Sequence, residues 1–208
     1  MKEINFNDSW CYRHLNSNEE WTSISIPHDA MLYEKRSRAS AGGTNVGWFE
    51  GYDYEYKKKF EIPEEYAEKK VAFEFEGVYR LAEVYINGEK AAFRPYGYTN
   101  FYVEADKHLK YGSQNTIRVI ARNSQQPNSR WYSGAGIYRP VKMLLSDNKQ
   151  KYIKPNGVKI RTLGINPAVI EIEIETVGKG EIAAEIFDGD QLIQRQKSKT
   201  NGKIVMKA

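Results

Sequence analysis

The chain has 208 residues, of which 40% are hydrophobic and 28% charged, and this composition is typical of a folded globular protein. Its net charge of +4 arises from interspersed charges of both signs, which argues against nucleic acid as a partner. No apolar run is long enough for a membrane span, and the single cysteine, Cys11, excludes an internal disulfide and a cysteine metal site.

The N-terminal eight residues lack the apolar core of a signal peptide. We therefore expect a cytoplasmic protein, or a periplasmic one from which a leader has been removed. The three histidines are scattered, and no cluster of His, Cys and carboxylates has the spacing of a metal site. The sequence thus predicts no metal and no cofactor.

Strand patterns dominate the first part of the chain. Polar and apolar residues alternate at 52–60 and 71–76, which predicts half-buried strands whose carboxylates face solvent. Asn87-Gly88 separates two further strand-like runs and predicts a tight hairpin. Strands are also expected at 116–121 and 141–145, and short helical turns at 63–68 and 106–110. Because no amphipathic stretch is long enough for a central helix, the fold class is predicted to be all-β.

A polar, charged bridge at 147–151 precedes a second module with few aromatic residues. Strands are predicted at 152–161, 168–175, 181–187 and 191–194, and the chain ends within another strand-like run. About five strands are fewer than the roughly seven of an immunoglobulin-like sandwich. We therefore expect two domains, 1–147 and 151–208, in a chain cut from a longer protein.

The segment 128–141 combines aromatic residues, arginines and glycines between two predicted strands. Gly134 and Gly136 allow a sharp bend that re-aims neighbouring side chains. Arg130 can donate paired hydrogen bonds to sugar hydroxyls, and Trp131 can stack on a sugar face. These two residues are candidates for sugar binding, whereas Arg139 is predicted to be buried in a structural ion pair.

A second candidate segment is the loop after a strand-like run that ends at Ile26. Asp29 in this loop either caps a turn or accepts hydrogen bonds from sugar hydroxyls. The long loop between Leu32 and Gly47 is functional or mobile, and Trp48 belongs either to the core or to a ligand platform. No pair of carboxylates stands out as the acid and base of a glycosidase, which must lie about 5–10 Å apart.

The chain resembles family 2 glycoside hydrolases, the group of β-galactosidases, β-glucuronidases and β-mannosidases. Motifs in the family order carry the resemblance across most of residues 10–145: Ile26-Pro27-His28-Asp29, Gly47-Trp48-Phe49 followed by Lys58-Lys59-Phe60, Phe75-Glu76-Gly77-Val78-Tyr79 through Val84-Tyr85-Ile86-Asn87-Gly88 to Tyr96-Gly97-Tyr98-Thr99-Asn100-Phe101, and Arg130-Trp131-Tyr132-Ser133-Gly134-Ala135-Gly136-Ile137-Tyr138-Arg139-Pro140-Val141. Some relatives have an acidic residue near the position of Arg130, and the Arg-Trp-Tyr-Ser-Gly form is most similar to β-galactosidase-like members.

The resemblance implies a jelly-roll, galactose-binding-domain-like β-sandwich followed by a truncated immunoglobulin-like β-sandwich. In this family the two catalytic glutamates lie on a (β/α)₈ barrel, so the chain is expected to be an inactive, non-catalytic N-terminal fragment with no catalytic residue of its own. Its predicted role in hydrolysing O-glycosidic bonds is to contribute contacts to the substrate sugar through Asp29, Arg130 and Trp131.

Several partners and two other functions remain open from the sequence. The expected partners are a β-galactoside or related glycan, the catalytic barrel of the same chain and a second copy in a homo-oligomer, with neither nucleic acid nor membrane. The first alternative function is an independent carbohydrate-binding module, which would bind sugar without the barrel. The second is a structural β-domain that mediates oligomer contacts.

Overall fold

The computed structural model describes residues 1–126, 131–200 and 202–207, and these residues are almost entirely strands and loops. The strands are β1 Lys2–Asn5, β2 Trp10–His14, β3 Thr22–Ile24, β4 Asp53–Ile62, β5 Val71–Phe75, β6 Ala82–Ile86, β7 Glu89–Arg94, β8 Phe101–Glu104, β9 Ser113–Arg122, β10 Val141–Leu145, β11 Tyr152–Ile165, β12 Ala168–Val177, β13 Glu181–Asp188, β14 Gln191–Lys199 and β15 Lys203–Lys207. Short 3₁₀ helices span Ala30–Tyr33, Gly43–Val46, Glu64–Tyr66 and Asp106–His108.

The chain forms two compact units, one over Lys2–Leu145 and one from Ser146 onward. The domain limits predicted from the sequence, 1–147 and 151–208, stay a prediction. In the part of the chain that the structure describes, no helix has the length and apolar character of a membrane span. No group of three or more metal-ligating side chains comes together among the same residues.

The first unit is a jelly-roll β-sandwich of two antiparallel sheets. One sheet has the order β1-β10-β5-β8 and the other β3-β2-β4-β9-β6-β7. Each sheet buries one face, and apolar side chains from both sheets form a single core. This core includes Trp10, Tyr54, Phe73 and Val119, each at most 1% exposed. The all-β fold predicted from the alternating pattern is confirmed.

Strands β4 and β9 form the centre of the larger sheet, pairing from Asp53↔Arg122 to Ile62↔Ser113. Tyr54 and Tyr56 point into the core, as the alternation predicts. The expectation that strand carboxylates face solvent is wrong for Glu55, which is only 3% exposed. Arg13 and Arg118 on the neighbouring strands cover this carboxylate and pair with it at 2.7 and 2.6 Å. Two cationic neighbours thus replace the water that a carboxylate normally requires.

The local turn predictions are also confirmed. Asn87 and Gly88 both have positive φ, 51° and 89°, and join β6 to β7 in a tight hairpin. The two short helical turns expected from the sequence are the 3₁₀ helices Glu64–Tyr66 and Asp106–His108. The short strands β1, β2 and β8 were not predicted.

The second unit is immunoglobulin-like and consists of the sheet β11-β12-β15 and the hairpin β13-β14. Its core is small and is made of Ile172, Ile174, Ile182, Ala184, Ile204 and Met206. Ile160 pairs with the buried Ile172 across β11 and β12, yet it is 65% exposed. Residues opposite each other share one face of a sheet, so part of the apolar face of this unit is open.

Candidate functional site

Three segments that are distant in sequence meet beside the first sandwich: the loop after β3, the Gly43–Val46 helix with the residues after it, and the segment before β10. The first and third segments are paired through their backbones. The His28 N–H donates to the Ile137 carbonyl at 2.8 Å, and the Ala30 N–H donates to the Ala135 carbonyl at 2.9 Å. We call this region the candidate site.

Asp29 ties the first segment to the third with its side chain. Its Oδ1 accepts the backbone N–H groups of Met31 at 3.1 Å and Ala135 at 2.9 Å. Its Oδ2 accepts the Tyr132 hydroxyl at 2.8 Å. Asp29 is therefore the N-cap of the Ala30–Tyr33 helix, and it also fixes the course of the segment that carries Trp131.

Two glycines make the bend of this segment possible. Gly134 has φ +69°, and a Cβ atom there would lie 2.7 Å from Asp29 Oδ2. Gly136 has φ +101°, and a Cβ atom there would overlap the Tyr56 hydroxyl. Gly136 also exchanges two backbone hydrogen bonds with Tyr79, at 2.9 and 2.7 Å. Only glycine combines these φ values with such close neighbours.

The Gly43–Val46 helix supports the same segment from a second side. The Tyr132 N–H donates to the Asn45 carbonyl at 2.9 Å, and its ring meets Phe49 edge-on at 5.5 Å. Arg36 holds this loop by donating from Nε to the Gly47 carbonyl at 2.8 Å. The long loop thus has defined internal contacts.

Trp131 remains accessible in this framework. Its side chain is 73% exposed, and its ring centroid lies 6.1 Å from that of Tyr132. A Cβ atom on Gly47 would be 3.8 Å from Trp131 Cζ2, so the indole lies over this glycine. An exposed indole on a fixed backbone can stack on the apolar face of a ligand.

Buried polar residues lie beneath the site. His28, which is 6% exposed, shares a 2.9 Å hydrogen bond with the Tyr56 hydroxyl and stacks on the ring of Tyr33 at 5.2 Å. Burial lowers the pKa of His28 to about 4, against a smaller opposite effect of Asp29. Burial and the bond to Asp29 raise the pKa of Tyr132, so its hydroxyl remains a donor.

The structure therefore brings Asp29 and Trp131 into one site, whereas Arg130 lies outside the described residues. The sugar-binding roles of all three stay predictions. The expectation of a buried ion pair at Arg139 is wrong. Arg139 is exposed, its guanidinium lies 5.4 Å from the ring centroid of Tyr138, and it forms no ion pair with any residue that the structure describes.

Sequence reasoning missed the residues that hold the site together. Tyr132 was noted only as part of a motif, although its hydroxyl reaches Asp29 and its N–H reaches Asn45. Tyr56 was assigned to a strand without a polar role, although it bonds to His28. The tyrosine next to Trp131 and the glycines after it were the available signal, because positive-φ glycines mark places of close approach.

Comparison with known proteins places this geometry in context. A family model described as "Glycosyl hydrolase 2 galactose-binding domain-like" matches residues 10–155. A putative β-glucuronidase of Formosa agariphila is 33% identical over 187 residues, which is 85% of this chain and 18% of that protein. The β-galactosidase BoGH2A of Bacteroides ovatus is 39% identical over 125 residues, 60% of this chain and 15% of that protein.

Solved structures resemble the fold over nearly the whole chain. A β-glycosidase from Bacteroides vulgatus superposes with a TM-score of 0.86 at 28% identity and covers 98% of this chain and 29% of its own. A family 2 glycosyl hydrolase from Bacteroides cellulosilyticus gives a TM-score of 0.88 at 20% identity and covers 100% of this chain and 30% of its own. The chain thus spans less than a third of the length of each of these relatives.

Proposed function

The chain belongs to the glycosyl hydrolase 2 galactose-binding domain-like family, and on that premise we propose that its first β-sandwich supplies substrate contacts in a family 2 glycoside hydrolase. The proposed substrate is a β-galactoside. In this proposal the chain binds and positions the sugar, and the carboxylates that cleave the glycosidic bond lie elsewhere in a longer protein. The relatives BoGH2A and the Formosa protein support this, because the chain matches only 15% and 18% of their length.

The observation that carries the proposal is the exposed indole of Trp131 on a fixed segment. Trp131 is 73% exposed, and the adjacent Tyr132 is bonded through its hydroxyl to Asp29 and through its N–H to Asn45. A preorganised aromatic side chain loses little conformational entropy when a ligand binds. Galactosides have one less polar face, which suits stacking on an indole.

Asp29 takes part in two ways. Three of about four acceptor sites of its carboxylate are occupied by Met31, Ala135 and Tyr132. In this proposal the remaining acceptor site, on Oδ2, takes a sugar hydroxyl. The main role of Asp29 in this proposal is to position Trp131. Its second role is to accept one hydrogen bond from a sugar hydroxyl. A carboxylate bonded in this way is poorly suited to act as a catalytic nucleophile.

β-Glucuronides are the second candidate substrate. The Formosa relative that matches 85% of this chain is named a putative β-glucuronidase, whereas BoGH2A, with higher identity over 60% of the chain, is named a β-galactosidase. Assays with 4-nitrophenyl β-galactoside and 4-nitrophenyl β-glucuronide in parallel distinguish the two sugars.

A binding experiment tests the chain itself. We expect methyl β-galactoside to shift the indole N–H resonance of Trp131 with a Kd of about 1 mM or weaker, because the chain supplies only part of the pocket. W131A should abolish the binding, and F93A serves as the matched control because Phe93 is an aromatic residue 54% exposed on β7. Saturable binding far below millimolar would favour an independent carbohydrate-binding module. Complete absence of binding, together with self-association, would favour a structural or oligomer-contact domain.

A hydrolysis experiment tests the proposed division of labour. The chain alone should release no 4-nitrophenol from 4-nitrophenyl β-galactoside or 4-nitrophenyl β-glucuronide. Release by the pure chain would contradict its non-catalytic role. In a chimera of BoGH2A that carries this chain in place of its matched segment, W131A should lower kcat/KM at least about tenfold, or about 1.4 kcal/mol. The Arg130→Ala variant of the same chimera tests the third predicted contact. An unchanged kcat/KM in W131A would remove Trp131 from the substrate site.

A further inference from the structure

A concavity separate from the candidate site lies in the first sandwich, next to the start of β6 and the end of β9. It has a volume of about 190 Å³ and is lined by Asp53, Arg80, Leu81, Arg122, Ser124 and Gln125. This space equals about six water molecules and is suited to one small polar molecule such as a single sugar unit. None of the residues assigned above to the candidate site lines it.

One of its two arginines is neutralised by neighbouring carboxylates. The guanidinium of Arg122 pairs with Glu83 at 2.9 Å and with Asp53 at 3.4 Å. Asp53 also accepts the backbone N–H of Ser124 at 2.9 Å. These bonds fix one wall of the concavity and satisfy the charge of Arg122.

The other arginine has no such partner. Arg80 forms no ion pair with any residue in the described ranges 1–126, 131–200 and 202–207. Its Nη2 donates to the Gln125 carbonyl at 3.2 Å, so one edge of the guanidinium is anchored. A partly exposed guanidinium with open donor positions is well suited to recognise an anion.

The backbone of Arg80 is held on both sides. Its carbonyl accepts the Arg122 N–H at 2.7 Å, and the preceding residue, Tyr79, is paired with Gly136. The Arg80 backbone is therefore held in place, and through Tyr79 it is connected to the segment that carries Trp131. A side chain on a fixed backbone loses less conformational entropy when it binds a ligand.

The chemistry of the lining indicates which anion fits. Two arginines and one aspartate give the lining residues a net charge of +1, which matches a single negative charge. Ser124 and Gln125 are exposed and bring a hydroxyl and an amide to the same space, and Leu81 adds an apolar surface. The planar fork of a guanidinium matches a carboxylate with two parallel hydrogen bonds.

We propose that this concavity binds one carboxylate-bearing sugar unit, a uronate, with Arg80 holding the carboxylate and with Ser124 and Gln125 contacting hydroxyl groups. The inference rests on the proposed function in taking the anion to be part of a glycan. It adds an acidic unit to the glycan that the chain recognises, at a place separate from Trp131.

The test is a titration of the ¹⁵N-labelled chain with methyl β-glucuronide at pH 7. We expect saturable amide shifts at Leu81, Ser124 and Gln125 with a Kd of about 1–10 mM. Methyl β-glucoside, acetate and inorganic phosphate should each bind at least about tenfold more weakly. Equal binding of the glucoside would overturn the role of the carboxylate, equal binding of acetate would overturn the sugar, and equal binding of phosphate would overturn the preference for a planar anion.

Variants link the signal to Arg80. R80Q should weaken glucuronide binding at least about tenfold, whereas R139Q, which changes another arginine that forms no ion pair within the described residues, should leave it unchanged. S124A gives a milder loss of about threefold in a variant that keeps both arginines. Glucuronide binding that is the same in R80Q and S124A as in the parent chain would overturn the proposal.

Failure of the uronate site can be distinguished from failure of the proposed galactoside contact at Trp131. In W131A, the glucuronide shifts at Ser124 should persist while the galactoside response is lost. Absence of the Ser124 shifts together with an intact galactoside response would reject the uronate site alone. Intact Ser124 shifts in a chain that shows no response to galactoside at Trp131 would reject only the proposed galactoside contact.

Discussion

Asp29 is the residue on which the candidate site depends most. Its carboxylate accepts hydrogen bonds from two backbone N–H groups and one hydroxyl, and two of the donors, Tyr132 and Ala135, lie more than a hundred positions away in sequence. Both interpretations that the sequence left open, a turn cap and a ligand contact, therefore concern the same oxygen atoms. The capping contacts are present in the structure, and the sugar contact stays a prediction.

Replacing Asp29 should destabilise the first unit. In D29A the buried N–H of Ala135 loses its acceptor and the Ala30–Tyr33 helix loses its cap, so the free energy of unfolding should fall by about 2–3 kcal/mol. D29N keeps one carbonyl oxygen for the two backbone donors and should lose about 1 kcal/mol. Urea unfolding measures both, with E20Q at an exposed acidic position as the control. Equal stability of D29A and E20Q would contradict the structural role.

His28 should make stability depend on pH. Its pKa is lowered from 6.5 to about 4 in the folded chain, so between these values the unfolded state binds a proton that the folded state does not. The free energy of unfolding should therefore fall as pH decreases from about 6.5 to about 4. H28Q should flatten this part of the curve of urea midpoint against pH.

His14 provides the control of opposite sign. Its hydrogen bonds to Glu19 and Glu34 raise its pKa despite partial burial. Its contribution to stability is therefore complete below pH 6.5 and is lost as pH rises through the folded pKa. H14Q should lower the urea midpoint by a constant amount below pH 6.5, and it should change the slope of the curve only above pH 6.5. An H28Q curve that matched the parent chain below pH 6.5 would contradict the effect assigned to His28.

Among the structural elements, some turns can be predicted from local sequence, whereas others also depend on tertiary contacts. The hairpin between β6 and β7 turns at Asn87-Gly88, where a Cβ atom on Gly88 would meet no other atom within 4 Å. The bend before β10 turns at Gly136, against Tyr56 and paired with Tyr79. The first turn requires residues that accept positive φ. The second turn also requires a residue without a Cβ atom, because Tyr56 occupies the space beside Gly136.

A matched pair of glycine substitutions separates these two requirements. G88A introduces a side chain at φ +89° with no atom within 4 Å, and should cost about 1 kcal/mol of unfolding free energy. G136A has a similar φ of +101° but its Cβ overlaps the Tyr56 hydroxyl, and should cost about 3 kcal/mol or more. Urea midpoints of the two variants measure the difference. A G136A cost no larger than that of G88A would show that the bend relaxes freely.

For the molecule as a whole, the two units differ in how much apolar surface they bury. The core of the first unit contains side chains from both of its sheets, whereas the described part of the second unit has a core of six buried side chains. In the second unit Ile160 is 65% and Ile165 88% exposed. Hydrophobic burial is the main favourable contribution to folding, so the second unit should be the less stable one.

Hydrogen exchange followed by mass spectrometry tests this difference. Amides of β4 and β9 in the first unit should exchange most slowly, at rates set by global unfolding. Amides of β11 and β13 should exchange faster, because their unit opens at lower cost. Slower exchange after Lys151 than before it would contradict the expected order.

Local patterns in the chain were sufficient for the all-β class and the Asn87-Gly88 hairpin. Alternation with period two reports which face of a strand is buried, and turn residues report positive φ, without reference to the rest of the molecule. The motifs around Asp29 and Trp131 were likewise sufficient to indicate the family, and the match to residues 10–155 confirms it.

Tertiary structure alone decided which side chains meet. The bond between Asp29 and Tyr132 and the burial of Glu55 between Arg13 and Arg118 join residues from separate strands and loops. The same holds for the contrast between Arg122, which is neutralised, and Arg80, which has no ion pair among the described residues. Strand register and loop closure set such contacts, and no local pattern records them. For this reason the sequence indicated the residue types of a candidate site, and the fold determined which of them hold its backbone in place and which remain exposed.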